Sequence, residues 1–344
     1  MSDVEVFLDE TPGEIRGVVA RDGRFEHLLI EREDDLAAHR LGARVAGRVV
    51  EVPDGLKGAF VDLGAAAHGF LPFRGGARAG EGARVEVEVV AEPRETKGPT
   101  LRLVGPAVGP PRLLRPAPGV RETLAALAPG VEPATGPAAI RAGIEAEEEA
   151  ASPGALFPDT GLDLMIERTR ALVAVDFDLA PGRGLATGGK ARERANRQGL
   201  AQTARLLRLK RWAGLVVIDL IGTGHDGPAI QAAARRAFGD DPAIGYGPVS
   251  RFGLLQVSLP WGRTPLEEIF NGPDGRRKVE HRAQDVVRAL RLALLSETGS
   301  PRVRARCAPE EAAIAAPLAA RLGPRAELRA DAAIAPAAFL IEEG

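Results

Sequence analysis

Thr169–Asp178 reads TRALVAVDFD, and Ala213–Leu220 reads AGLVVIDL. Both are short, apolar, β-branched runs, the pattern of buried strands. Each carries an aspartate near its carboxyl end, Asp176 and Asp219. Between them lies a glycine-rich segment, Gly182–Gly189 (GRGLATGG), and a long basic stretch. Strand, glycine loop, helix, strand is the grammar of an α/β unit. In open α/β sheets, ligands bind beyond the carboxyl ends of the strands. Two strand-ending carboxylates there suit Mg²⁺, which takes one or two carboxylates and completes its shell with phosphate oxygens and water. That combination points to metal-assisted phosphodiester chemistry.

The intervening segment supports the same direction. A glycine loop brings backbone N–H groups close to phosphate. From Arg183 to Arg211 there are nine Lys or Arg and one acid, Glu193. At helical spacing Arg194, Arg197, Arg205 and Arg208 share one face, while Leu200, Ala204 and Leu207 share another. Cations to hold a polyanion and acids to hold a metal are what a nucleic-acid-cutting site requires.

These residues, together with Ser250–Leu255 (SRFGLL), resemble the catalytic region of the ribonuclease E/G endoribonucleases. The resemblance implies that Asp176 and Asp219 are catalytic and bind Mg²⁺, with Mn²⁺ as the alternative ion, and that Arg251 contacts the RNA backbone. The bland alternative for the turn is a surface arginine beside a packed Phe252. The family usually has Asn two residues after the first aspartate; here Asp178 stands there, sharing a face with Asp176 and offering a third metal ligand or a repulsive charge.

Composition sets bounds. The chain has 344 residues, 45 % hydrophobic, with net charge −2, enough for two or three domains. RNA binding must rest on local patches rather than on global charge. A single cysteine, Cys307, excludes internal disulfides and cysteine-cluster zinc sites. With no signal peptide and no membrane-spanning run in view, a cytoplasmic protein without membrane association is the expectation.

Outward from the core, residues 1–41 read as a hairpin around Arg21-Asp22-Gly23. Residues 42–104 hold short strands at Gly42–Val52, Gly58–Leu63, Ala67–Leu71, Ala83–Val90 and Pro99–Val104, a spacing that suggests an OB-fold. GRVVEVPDGLKGAFVDLGAAAHGFLP resembles the RNA-binding OB-fold of ribosomal type seen within ribonuclease E/G. By that resemblance Phe60 and Phe70 stack bases and Lys97 contacts RNA. Alternation alone leaves Phe60 open between barrel core and outward stacking. His68 reads as structural.

Residues 105–160 read as a proline-broken linker with short helices at Arg121–Leu127 and Pro137–Glu149 and a solvated acidic run, Glu145–Glu149. The segment stands where the family has its 5′-phosphate sensor but is much shorter and carries no matching motif, so it reads as a linker and reduced remnant of that region, and 5′-end sensing is not carried over from the resemblance. Residues 161–260 form the α/β core, with Glu167 and Arg168 in a turn, a helix over Pro228–Phe238, strands at Ile244–Val249 and Leu254–Leu259, and a weak acid–base candidate in His225–Asp226. Residues 261–344 lack the paired-cysteine zinc link that follows the family's core, so no zinc and no zinc-linked oligomer are expected, although oligomers by other surfaces stay open. They read as a small C-terminal α/β domain: a helix over Lys278–Glu297, a strand holding a packed Cys307, a helix over Pro309–Leu322, and closing strands.

The fold expectation is therefore an α/β (α+β) multidomain chain. It comprises a ribonuclease H-like or DNase I-like core, an inserted OB-fold barrel and the C-terminal domain. The functional expectation is a Mg²⁺-dependent endoribonuclease for single-stranded RNA, with Asp176, Asp178 and Asp219 at the metal and Phe60, Phe70, Lys97, Arg194, Arg197 and Arg251 on RNA. A non-catalytic RNA-binding protein and a small-molecule phosphohydrolase are the alternatives.

Overall fold

The first three strands, β1 (Val4–Thr11), β2 (Glu14–Arg21) and β3 (Arg24–Arg32), form one antiparallel sheet whose central strand, β2, is buried along most of its length. Asp22 and Gly23 both have positive φ (50° and 70°), as a two-residue hairpin turn demands. The expected hairpin is thus β2–β3, with VEVFL supplying a third strand. The computed structural model describes residues 3–65, 67–73, 78–180 and 188–343. It divides into one unit of Met1–Glu147 with Arg263–Gly344 and a second of Glu148–Gly262.

In the first unit, β4 (Arg44–Glu51), β5 (Gly58–Asp62), β6 (Gly69–Pro72), β7 (Arg84–Ala91) and β8 (Thr100–Pro106) close on themselves. β4 pairs with both β5 and β7, β5 with β6, β6 in parallel with β8, and β8 with β7. Val45, Val61, Leu71, Val87 and Leu101 fill the ring. A Cβ on Gly98 would lie 1.9 Å from the His68 carbonyl oxygen, so only glycine lets the chain pass there.

A further strand, β9 (Arg112–Arg115), pairs with β4 inside the stretch read as linker. All four of its residues are exposed, so no burial period marks it, and its flanking prolines are tolerated because it is an edge.

Helix α1 (Val120–Leu127) lays Val120 and Leu124 on the first sheet, where Gly17 leaves room for them. Helix α2 (Pro137–Ala151) follows. Its acidic run is not wholly solvated: Glu147 is buried, its Oε2 2.8 Å from Arg16 Nη1. Arg16 Nε is also 2.6 Å from Glu14 Oε1. A buried carboxylate is retained here because guanidinium groups surround it.

The second unit holds β10 (Gly154–Phe157), β11 (Leu162–Arg168), β12 (Val173–Leu179), α3 (Gly189–Lys210), β13 (Gly214–Asp219), α4 (Gly227–Phe238), β14 (Gly245–Tyr246) and β15 (Leu254–Leu259). The strand order is β10-β11-β12-β13-β15-β14, with β12 and β13 parallel and joined through α3. Glu167 and Arg168 end β11 rather than forming a turn. The turn is Thr169–Leu172, closed by Thr169 Oγ1 donating to the Leu172 carbonyl at 2.8 Å. β14 is only two residues long, shorter than the strand expected over Ile244–Val249.

Val175, Phe177, Val216, Ile218, Leu255 and Val257 form the inner face of this sheet, against Leu200, Leu207 and Ile230 of the helices. Each such side chain contributes about 1.5–3 kcal/mol by leaving water.

The chain then returns to the first unit with α5 (Leu266–Phe270), which no sequence signal marked, α6 (Val279–Ser296), β16 (Val303–Cys307), α7 (Pro309–Ala320), β17 (Ala326–Ala330) and β18 (Phe339–Glu343). β16 is central, parallel to β17 and antiparallel to β18. Val286, Leu290 and Cys307 pack between helix and sheet. Arg288 of α6 reaches Asp9 Oδ2 (3.1 Å) and Glu14 Oε1 (2.7 Å), all three fully buried. These bonds are why the two ends of the sequence share a unit. Burial alone would raise the Glu14 carboxyl, but Arg16, Arg288 and Arg32 overrule it and hold the group well below the usual carboxylate range. Among the described residues no helix is long and apolar enough to cross a membrane.

Candidate functional site

Strand alternation decides where the acids point. On β12, Val173, Val175 and Phe177 are buried, so Ala174, Asp176 and Asp178 face the other way. On β13, Val216 and Ile218 are buried and Asp219 faces outward. The parallel register then sets Asp176 directly opposite Asp219. Neighbouring strands lie roughly 4.7–4.9 Å apart, so the two carboxylates are neighbours on one open face. The antiparallel register of β11 adds Asp163 opposite Asp178.

Sequence reading missed Asp163. Its signal was the alternation in Leu162–Ile166, which put it on the polar face, but only the strand register brings it beside Asp178. Asp178 Oδ1 accepts the Leu179 backbone N–H at 2.7 Å.

Among the described residues, this face gathers four carboxylates, Asp163, Asp176, Asp178 and Asp219. Desolvation, then the charges of Asp219, Asp178 and Asp163 in that order, raise the Asp176 carboxyl above its ordinary value. Among the described residues, neither Asp176 nor Asp219 has an ion-pair partner. Two adjacent carboxylates without a counter-cation fit a hard divalent ion completed by phosphate and water.

A second acidic cluster behaves differently. Among the described residues, Glu147, His281 and Asp285 are the group whose three ligand atoms fall within 4.8 Å of one another. Arg277 Nη1 lies 2.6 Å from Glu147 Oε1 and 3.3 Å from Asp285 Oδ2. Arg32 donates to His281 Nδ1 at 3.0 Å, which fixes the other ring nitrogen as the N–H that donates to Glu147 at 2.9 Å. Arginines already occupy the oxygens and the imidazole has no free lone pair. The cluster is an ion-pair network and does not offer a cation site.

The basic helix is divided. At its N-terminal half Arg194 and Arg197 are exposed, with Arg197 3.4 Å from Glu193. Arg205, expected on the same cationic face, is buried, 2.7 Å from Glu149 and from Gln202 Oε1. Lys210 is also buried and donates to the carbonyls of Ala150 and Ser152 at 2.6 and 2.5 Å. These two cations anchor the helix and are not available to a ligand. Of the Gly182–Gly189 loop, residues 182–187 lie outside the described residues; Gly188 is the N-cap of α3.

At the carboxyl end of β13 a cleft of about 460 Å³ opens between α3 and α4, lined in part by Arg192, Arg197, Arg236 and His225. Buried Asn196 shapes it, accepting the Ile221 N–H at 2.9 Å and donating to the Ile221 carbonyl at 3.3 Å. Among the described residues Arg192, Arg194 and Arg236 have no acidic partner. His225 and Asp226 are both spent on local structure. His225 Nε2 bonds the Gly222 carbonyl at 2.8 Å, and Asp226 caps α4 by accepting the Ala229 N–H.

The turn Ser250–Gly253 borders the same end of the sheet, because Leu254 is the register partner of Asp219. Arg251 is exposed and its guanidinium lies 4.7 Å from the Phe252 ring centre. Phe252, expected to pack if the turn were merely structural, is 67 % exposed.

In the β4–β8 ring, Phe60 and Phe70 are cross-strand partners with ring centres 5.6 Å apart, tilted by 59°. Their neighbours Ala59, Val61 and Leu71 fill the interior, so both phenyls lie on the outer wall, half-buried. Lys97 is exposed, 3.6 Å from Glu95.

Residues 131–259 match the model of the Ribonuclease E/G family. Over this segment the chain is similar to the ribonuclease E/G family. Ribonuclease E of Buchnera aphidicola subsp. Acyrthosiphon pisum (strain APS) is 33 % identical over 103 residues, 29 % of this chain and 11 % of that protein's length. The ribonuclease E/G segment contains the acid pair, both helices, the cleft and the 250–253 turn, whereas the β4–β8 ring lies outside it.

Proposed function

We propose that this chain is a Mg²⁺-dependent endoribonuclease that cleaves single-stranded RNA. The observation that carries the reading is the register of β12 and β13, which sets Asp176 against Asp219 within the segment matching the ribonuclease E/G family. Asp176 and Asp219 would hold the ion; Asp178 flanks them. When bound, a divalent cation supplies charge to offset the developing phosphorane anion and to acidify the attacking water.

The protein's own groups do the rest. Arg194 and Arg197, with the cleft arginines, draw the phosphate backbone toward the open sheet face by charge. Arg251 holds a flanking phosphate. We read the β4–β8 ring as an OB-fold, since its closed five-strand order carries two outward phenyls and an exposed lysine, a stacking and charge surface suited to unpaired RNA. We read the β10–β15 sheet as a ribonuclease H-like core.

Asp176→Asn and Asp219→Asn each remove one donor without changing shape. Each is expected to lower cleavage of an unstructured labelled RNA by at least about a hundredfold while RNA affinity stays within about threefold. Cleavage that persists in excess EDTA would sink the metal role. The surplus carboxylates Asp163 and Asp178 favour one second reading, a non-catalytic RNA-binding protein. A gel shift with no cleavage under any divalent ion selects it.

A further inference from the structure

Phe252 is the most exposed aromatic among the described residues, at 67 %. Single exposed apolar residues are common on surfaces. This one differs in how it is held. Ser250 Oγ accepts the Phe252 and Leu254 N–H groups at 3.3 and 3.1 Å. The Gly253 N–H donates back to the Ser250 carbonyl at 3.0 Å, and the Ser250 N–H to the Leu254 carbonyl at 2.9 Å. Gly253 takes φ of 88° and accepts the Leu220 N–H at 3.3 Å. A Cβ on Gly253 would come within 3.0 Å of the Gly222 carbonyl oxygen, so the turn is seated tightly against the loop that follows Asp219. The backbone is fixed, the ring projects, and Arg251 lies against the ring at 4.7 Å.

Position gives the ring a task. Leu254 pairs with Asp219, so Phe252 stands two residues beyond the acid pair's own ladder. At about 3.3 Å per residue that is within roughly 10 Å, the neighbourhood of a base adjoining a phosphate bound at the acids. Every base has a π face, and stacking on a rigid aromatic is sequence-tolerant. The guanidinium beside it adds a cation to the phosphate side of the same nucleotide.

We propose that Phe252, backed by Arg251, stacks the unpaired nucleobase next to the scissile phosphate, making the 250–253 turn a base-binding subsite within the second unit. This rests on the RNA-cleaving reading above. It is separate from the phenyl pair of the β4–β8 ring. Purines, with the larger face, should be preferred there.

The test uses the full chain carrying Asp219→Asn, so that RNA is bound without being cut. Affinity for a short unstructured fluorescein-labelled RNA is read by anisotropy across a salt series. Quenching is read in the same RNA with 2-aminopurine walked along it. Adding Phe252→Ala should weaken binding by about 5- to 150-fold, the range of one lost base stack. The log affinity–log salt line should shift in parallel, because no phosphate contact is lost. Quenching should disappear at one position, and Phe252→Trp should restore both affinity and quenching. Affinity within twofold of the parent with quenching unchanged overturns the subsite, as does a loss that Trp does not repair. If the Asp219→Asn parent binds no RNA at all, the RNA reading itself fails and the subsite with it.

Discussion

Gly199 shows how one residue places the acids. A Cβ there would meet the Phe177 ring at 2.5 Å, so glycine is what lets α3 lie close on β12, the strand that carries Asp176. Gly199→Ala should cost about 1–3 kcal/mol of stability, read as a lower denaturant midpoint, and should reduce cleavage by shifting that strand. Asp178 makes the opposite case. With one oxygen already taken by the Leu179 N–H, Asp178→Asn should keep cleavage within about tenfold, measured beside Asp176→Asn. At this scale Asp176 and Asp219 were legible because each ends an apolar run. Asp163 was not, since what brings it to Asp178 is a strand register, a pairing between segments that no local pattern encodes. For Phe252 the sequence left a packed ring as one alternative, and only the turn around it shows the ring exposed.

Elements follow the same division. The strands of the β4–β8 ring and the long helices α3 and α6 were legible from period and from glycine and proline punctuation. β9 and α5 were not: one is entirely exposed, the other is five residues long. The basic face of α3 was legible only as composition. Its C-terminal half spends Arg205 and Lys210 on Glu149 and on two carbonyls, which are contacts to chain about 60 residues earlier. Lys210→Met should therefore destabilise by about 1–3 kcal/mol, seen in thermal melting, without changing the salt dependence of RNA binding.

The Asp9–Glu14–Arg16–Arg288 network joining β1, β2 and α6 sets an acid limit. Glu14 is held below the ordinary carboxylate range in the folded state. Its contribution is complete above the unfolded value of about 4.3 and is lost as pH falls below it. Stability measured by urea titration should thus drop steeply below about pH 4.3. Glu14→Gln, which removes the carboxylate that three guanidinium groups share, should cost about 3–5 kcal/mol at neutral pH and flatten that drop.

For the whole molecule, a net charge of −2 means that any attraction for RNA comes from local arginines and not from the protein's overall field. Affinity should fall with salt, and Arg192→Gln with Arg236→Gln should lessen the log–log slope by about two. Because the Glu147–His281–Asp285 cluster is filled by arginine, chelators should leave the melting temperature unchanged while they stop cleavage.

The central claim is that Asp176 and Asp219 share one divalent ion. Its most direct test is an anomalous difference map from crystals soaked in Mn²⁺. The account predicts a peak between those two carboxylates in the wild type and none in Asp219→Asn. A peak elsewhere, or the two acids turned away from each other and bound to arginine, would contradict it.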